Sequence, residues 1–246
     1  MIAVAHTLYV LDFDGVVCEG LDECLLTAWI AFHALPERDW SMNLLDIIPE
    51  SFKQRFRNDR NFVRHDGHFL LPFMKSEPIS SSEEFGSLYD AVPEIERENF
   101  RDRFRMVRER IRNSDYANWI GMHQLHDPVL AALRKMKEFY IVSGKDAESI
   151  SAILVASGIS LPPDHIFGNQ TNKATALLNI KQRAEANQQR IIFCDDNLAN
   201  ALDARAAGID TLWARWGYHT KADIAEAEYA GLRGIALGDV EAAFTP

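Results

Sequence analysis

The stretch YVLDFDGVV, residues 9–17, joins an apolar run of strand length to two carboxylates one residue apart, Asp12 and Asp14, followed by Gly15. A continuous apolar run suits a strand buried on both faces, as parallel sheets require. Two anions at its carboxyl end do not suit burial unless something there takes up their charge. Ligands of open parallel sheets sit beyond the carboxyl ends of the strands, so polar residues at strand ends are where chemistry is to be sought.

From residue 127 onward, apolar runs of strand length alternate with amphipathic segments of helix length, the pattern of a parallel sheet with crossover helices. Five further strands are predicted: Phe139–Gly144, His165–Gly168, Arg190–Cys194, Ile209–Ala214 and Gly234–Leu237. Helices are predicted over DAESISAILVASG, NKATALLNIKQRAEANQQ and NLANALDARAAG. Asp146 stands where an N-cap belongs, and Gly158 and Gly208 where the chain should leave its helix.

Residues 21–121 read differently, with helical periodicity, scattered prolines and no clear strand, and are expected to form a helical insertion. Its best helix is EIERENFRDRFRMVRERIR, where Phe100, Phe104, Val107 and Ile111 share one face. Arg97, Arg101, Arg105, Arg108 and Arg112 form a neighbouring stripe, read as a solvated face with acidic neighbours, an anion-binding role being the alternative. A second basic cluster, Lys53, Arg55, Arg57, Arg60 and Arg64, faces either an anion or solvent. His65, His68, His123 and His126 read as incidental, the first two as exposed loop residues, and Trp213 and Trp216 as packing.

Composition bounds the function. The 246 residues carry a formal net charge of −10, which argues against nucleic acid or an anionic membrane surface as partner. Three cysteines without C-x-x-C spacing indicate neither a disulfide framework nor a thiolate zinc site, and fit a reducing cytoplasm. MIAVAHTLYVLDFDG has no basic leader, and its apolar run breaks at Asp12, so neither signal peptide nor membrane span is expected there.

Four polar sites fall at strand ends: Asp12 with Asp14, Ser143, the pair Asp195 and Asp196, and Lys173 in a loop-to-helix transition. Singly, each has an ordinary explanation as a turn former or N-cap, although a lysine in a first helical turn opposes the helix dipole. Jointly they do not. Two like charges about 4 Å apart repel by roughly 4 kcal/mol at an effective dielectric near 20, so converging carboxylates call for a bound cation or shifted protonation. A hard divalent ion with oxygen ligands answers this, and Mg²⁺ is favoured where a phosphate supplies further oxygens.

The elements DFDG, IVSGK, GNQTNKATAL and IIFCDDNLANALDARAAGI, in this order, resemble motifs I to IV of the haloacid dehalogenase-like (HAD) hydrolase superfamily, over roughly residues 6–20 and 127–246. Phosphoglycolate phosphatase-like members are similar in layout, including the RWGYHT stretch after the fifth strand. The resemblance implies an α/β fold: a Rossmann-like parallel-sheet core from 1–20 and 122–246, with an all-helical cap at 21–121. It implies Asp12 as the nucleophile of an aspartyl-phosphate, Asp14 as acid and then base, and Ser143 and Lys173 as phosphoryl ligands. Gly15 and Gly144 would line the phosphate. Mg²⁺ would be held by Asp12, the Asp14 carbonyl and Asp196, with Asp195 a further or water-mediated ligand.

The chain departs from the family pattern in places. Ala174 follows Lys173 where proline is common, Lys145 is a rival lysine, Asn200 replaces a further acid, and Glu19 and Gly20 stand where many relatives have Asp and Ser. The implied activity is hydrolysis of a small phosphorylated metabolite by a Mg²⁺-dependent cytoplasmic phosphatase. Asp14 argues against a dehalogenase, since halide leaves without a proton. A phosphomutase needs both aspartates too and is the main alternative; a non-catalytic metabolite- or partner-binding protein is another. The cap lysines Lys53 and Lys75 lack the setting a phosphonate hydrolase would require. Hinges are expected near Cys18–Asp22 and Gly121–Asp127.

Overall fold

The computed structural model describes residues 6–244, so the expectation for the first five residues lies outside it. The described chain divides into two compact units. One is made of residues up to Glu19 and from Leu125 onward, the other of Gly20–Gln124.

The first unit is built on six parallel strands: β1 (Thr7–Leu11), β2 (Phe139–Val142), β3 (Ile166–Phe167), β4 (Arg190–Asp195), β5 (Asp210–Ala214) and β6 (Arg233–Ile235). All six were predicted, with ends shifted by at most two residues. His165 belongs to a 3₁₀ turn, Pro163–His165, ahead of β3. The order across the sheet is β3-β2-β1-β4-β5-β6. In this doubly wound order the chain runs outward from β1 in one direction and then returns to the other side, opening a crevice at the carboxyl end of β1.

Burial explains the apolar strands. Val10 and Leu11 are fully enclosed, and Leu8, Val10, Tyr140, Val142, Ile191 and Phe193 pack against Ala176, Leu177, Ile180 and Ala184 of the helix Ala174–Ala186. Each fully buried side chain of this size contributes about 1.5–3 kcal/mol. The helix Ala147–Ala156 starts at Asp146, whose carboxylate accepts from the Ser149 N–H at 2.8 Å, as its sequence indicated. The helix Leu198–Ala206 is capped by Asn197, and neither Asp195 nor Asp196 takes that role.

The second unit is helical. Its longest helix, Glu94–Ser114, buries Phe100, Phe104, Val107 and Ile111 as the periodicity indicated. Phe56, Phe69 and Phe104 stack in succession at 5.3 and 5.4 Å between centroids. The arginine stripe departs from the solvated-face reading: Arg97, Arg101 and Arg105 are half-buried, and the departure is largest at two further positions. Arg108 and Arg112 are buried, and Arg108 makes a two-point ion pair with buried Glu23, at 2.8 and 3.0 Å, to which Thr27 also donates. His123 is buried as well, its Nδ1 2.9 Å from the Trp119 carbonyl. No helix among the described residues is long and apolar enough to cross a membrane.

Candidate active site

Strand register builds the site. Leu11 lies opposite Ile141 on one side and Cys194 on the other. Asp12, Ser143, Asp195 and Asp196, one or two residues beyond these three, therefore emerge together at the sheet rim. The Asp12 N–H still donates to the Cys194 carbonyl at 2.8 Å, so Asp12 is anchored as a ladder residue while its side chain leaves the strand. Gly15 then turns the chain with φ of +90°.

Asp12 is buried, and its carboxylate is held from three sides. Oδ1 accepts from the Phe13 N–H at 2.7 Å, Oδ2 meets Lys173 Nζ at 2.9 Å, and the Ser143 side chain supplies a further hydrogen bond. Burial pushes the Asp12 pKa up to about 6; Lys173 pulls it down and Asp195 pushes it up. Lys173, itself buried, reaches Asp195 Oδ2 at 2.7 Å. Its pKa is raised, because the attraction of Asp12 and Asp195 outweighs the opposing effect of burial. The structure places Lys173 at the N-cap of the helix Ala174–Ala186 rather than in its first turn, and two carboxylates offset its repulsion by the helix dipole.

Asp195 has both oxygens engaged, Oδ1 by the Asn197 N–H at 2.8 Å and Oδ2 by Lys173 and by Asn200 Nδ2 at 3.2 Å. Its place is thus behind Lys173, orienting it. Asp196 is fixed differently. The Tyr218 N–H donates to its Oδ2 at 2.6 Å, and Trp213 Nε1 donates to its carbonyl at 2.7 Å. A Cβ added at Gly15 would lie 2.1 Å from Asp196 Oδ2, and one at Gly217 would lie 2.4 Å from Asp196 Cβ. Both glycines are needed for the carboxylate to sit where it does.

Asp14 stands beside a second lysine. Lys145 Nζ is buried and 3.4 Å from Asp14 Oδ1, an oxygen without a hydrogen bond of its own. The sequence named Lys145 as a rival to Lys173; the structure gives the two lysines different carboxylates. Gly144 lies between Ser143 and Lys145 in the turn after β2. Cys194 adjoins the site, but burial holds its thiol well above its ordinary pKa, so a thiolate nucleophile is unavailable there.

Asp12, Asp195 and Asp196 offer oxygens within 4.8 Å of one another, all buried. With Asp14 they make four carboxylates against two ammonium groups, an excess of two negative charges at the sheet rim. That excess equals the charge of one divalent cation, and the donor set is all oxygen, which suits Mg²⁺. Sequence reasoning missed Gly217, Tyr218 and the polar role of Trp213, although the stretch RWGYHT had been noted.

No family model matches this sequence, and no curated protein matches it. Solved structures do. A predicted phosphoglycolate phosphatase from Haemophilus somnus 129PT is 16% identical, covers 98% of both chains and superposes with a TM-score of 0.57. The haloacid dehalogenase-like protein SP0104 of Streptococcus pneumoniae is 18% identical over 98% of this chain and 99% of its own, TM-score 0.55. A hydrolase from Pseudomonas syringae is 12% identical over 94% and 92%, TM-score 0.58. The chain therefore has the fold of the haloacid dehalogenase-like hydrolases, as the sequence motifs indicated.

Proposed function

We propose that this protein is a Mg²⁺-dependent phosphatase that hydrolyses a small phosphorylated metabolite through an aspartyl-phosphate on Asp12. The observation that carries the reading is the contact of buried Asp12 with Lys173 at 2.9 Å, beside Asp195 and Asp196, at the carboxyl end of the central strand. A carboxylate so placed is suited to act as a nucleophile, with a fixed cation beside it to meet the charge of the transferring phosphoryl group. The similarity to a predicted phosphoglycolate phosphatase supports a phosphate ester as substrate class.

In the first step an Asp12 oxygen bonds to phosphorus as the ester P–O bond breaks, and Asp14 gives its proton to the departing alkoxide. Ser143 and Lys173 hold the phosphoryl oxygens, with Gly15 and Gly144 lining them. In the second step Asp14 takes a proton from water, the water oxygen bonds to phosphorus, and the acyl-phosphate bond breaks to return Asp12 and inorganic phosphate. Asp12, the Asp14 carbonyl and Asp196 would hold Mg²⁺, which when bound neutralises charge on the transferring group. Lys145 keeps the Asp14 carboxyl within reach of both proton transfers.

A panel of phosphorylated metabolites assayed with Mg²⁺ tests the reading, beside an Asp12→Asn variant. Phosphate release by the wild type and a loss of at least 1,000-fold in the variant are expected, on the order of 4 kcal/mol of transition-state stabilisation. Full release by Asp12→Asn would rule out the assigned nucleophile. Interconversion of phosphate isomers in place of release would identify a phosphomutase, and binding without turnover a metabolite-binding protein.

A further inference from the structure

In the unit Gly20–Gln124, Arg97, Arg101 and Arg105 recur every fourth residue along the helix Glu94–Ser114, on a single stripe. The stripe faces an enclosed group of rings. His65 and His68 lie 3.8 Å apart, and His68 and Tyr89 4.5 Å apart, between ring centroids. The Arg97 guanidinium lies over Tyr89 at 4.9 Å, and Arg105 binds buried Asp66. Gly67 is closely fitted here: an added Cβ would come within 2.8 Å of the Tyr89 hydroxyl and 3.3 Å of the His65 ring.

The polar atoms of this group are incompletely satisfied. Arg97 Nε, Arg101 Nε and His65 Nδ1 are buried without a hydrogen-bond partner. Buried N–H groups of this kind ordinarily have acceptors, and a charged donor pays most for lacking one. The nearby acids do not supply them. Asp66 is engaged by Arg105 and by the Gly67 N–H at 2.9 Å, and Asp90 is largely exposed, its oxygen 3.9 Å from Arg97. Arg64 adds positive charge beside both histidines, and its N–H fixes His68 by donating to Nδ1 at 3.2 Å. His65 stays neutral at pH 7, since burial drives its pKa down to about 4, so one of its ring nitrogens can carry a donor N–H without adding charge.

The histidine pair does not fit a metal, because the surrounding guanidinium groups repel a cation. In the second basic cluster from the sequence, Arg60 donates to the Val63 carbonyl, Arg55 to those of Pro72 and Ser76, and Lys53 pairs with Glu50 at 3.7 Å. Arg97 and Arg101 differ in offering buried donors that nothing accepts.

We infer that Arg97 and Arg101, with His65 and Tyr89 beside them, form a binding site for an oxyanion, a phosphate or carboxylate group, accepted by the forked guanidinium donors. The inference rests on this unit alone and stands apart from the catalytic reading.

Titrating the full chain with inorganic phosphate, followed by amide hydrogen exchange resolved by peptide, tests it. Saturable protection is expected over residues 62–70 and 89–105, with half-saturation shifted at least 10-fold in an Arg97→Gln, Arg101→Gln variant. An Arg101→Lys variant, which keeps the charge and loses the fork, should shift it several-fold and serves if the double variant does not fold. Protection confined to segments around residues 12, 143 and 173, or half-saturation unchanged in both variants, would overturn the site. Esters with and without a second acidic group then tell the sources apart. A 10-fold fall in the kcat/KM ratio between them in Arg101→Gln assigns the oxyanion to substrate, whereas an unchanged ratio with lost protection assigns it to a separate solute. The exchange readout needs no turnover, so failure of the Asp12 assignment leaves it intact.

Discussion

Lys173 shows how much one side chain can carry. It lies between Asp12 and Asp195, all three buried, so a Lys173→Met substitution strands two enclosed carboxylates. Removing one member of a buried ion pair costs about 3–5 kcal/mol, and a loss in that range is expected from urea denaturation. Arg190 and Asp210 make a contact of similar length, 2.6 Å, but are more than half exposed, so Arg190→Met should cost under about 1 kcal/mol. Distance alone does not rank the two pairs; burial does. Gly217→Ala places a methyl group 2.5 Å from Asp196 Oδ2 and should raise the Mg²⁺ concentration for half-maximal phosphatase activity at least 10-fold, read by metal titration. The sequence pointed to Asp12, Asp14, Ser143, Lys173, Asp195 and Asp196, because strand ends and local motifs carry them. Gly217 and Tyr218 were harder to see, since a glycine's closeness to a carboxylate some 20 residues earlier leaves no local pattern.

At the scale of elements, the helix Glu94–Ser114 separates what periodicity reveals from what it hides. Phe104 sits in the stack with Phe69, and Phe104→Ala should cost about 3–5 kcal/mol, whereas the partly exposed Met106→Ala should cost under about 0.5 kcal/mol, both by denaturation. That face was legible because apolar residues recur at helical spacing. Arg108 was not, because its partner Glu23 lies 85 residues away, and charge at regular spacing looks alike whether solvated or buried. His65 and His68 were misread as exposed for a related reason: the helix and Tyr89 enclose them, and neither adjoins them in sequence. Their enclosure makes the fold sensitive to acid. His65 has its pKa lowered from 6.5 to about 4 by burial, with Arg101, Arg64 and Arg105 in the same direction and Asp66 opposing. The folded chain refuses a proton that the unfolded chain accepts, so this stability is complete above about pH 6.5 and is lost as pH falls towards 4. Between pH 6.5 and 5 His65 should contribute a loss of about 2 kcal/mol to the stability read by denaturation, at up to about 1.4 kcal/mol per pH unit, with His68 acting in the same direction. His65→Gln should flatten that slope.

For the whole molecule, the order of the six strands decides where chemistry can occur. β1 is central, with β2 and β4 on either side, so residues from three widely separated stretches meet at one rim. The alternation of apolar and amphipathic segments made the parallel sheet readable, whereas its strand order, set by pairing between distant stretches, was not predicted from the sequence. The charge excess at the rim makes a global expectation: chelation should abolish phosphate release, and Mg²⁺ should restore it and raise the midpoint of thermal unfolding, since an ion bound only by the folded chain stabilises it. Every step of the catalytic account depends on Asp12 accepting the phosphoryl group. The most direct measurement is to quench the enzyme in acid during turnover of a good substrate and locate the bound phosphoryl group by peptide mass spectrometry. One phosphoryl group on the peptide containing Asp12, absent from Asp12→Asn, is the result the account requires; rapid turnover with no such adduct, or an adduct on another residue, would contradict it.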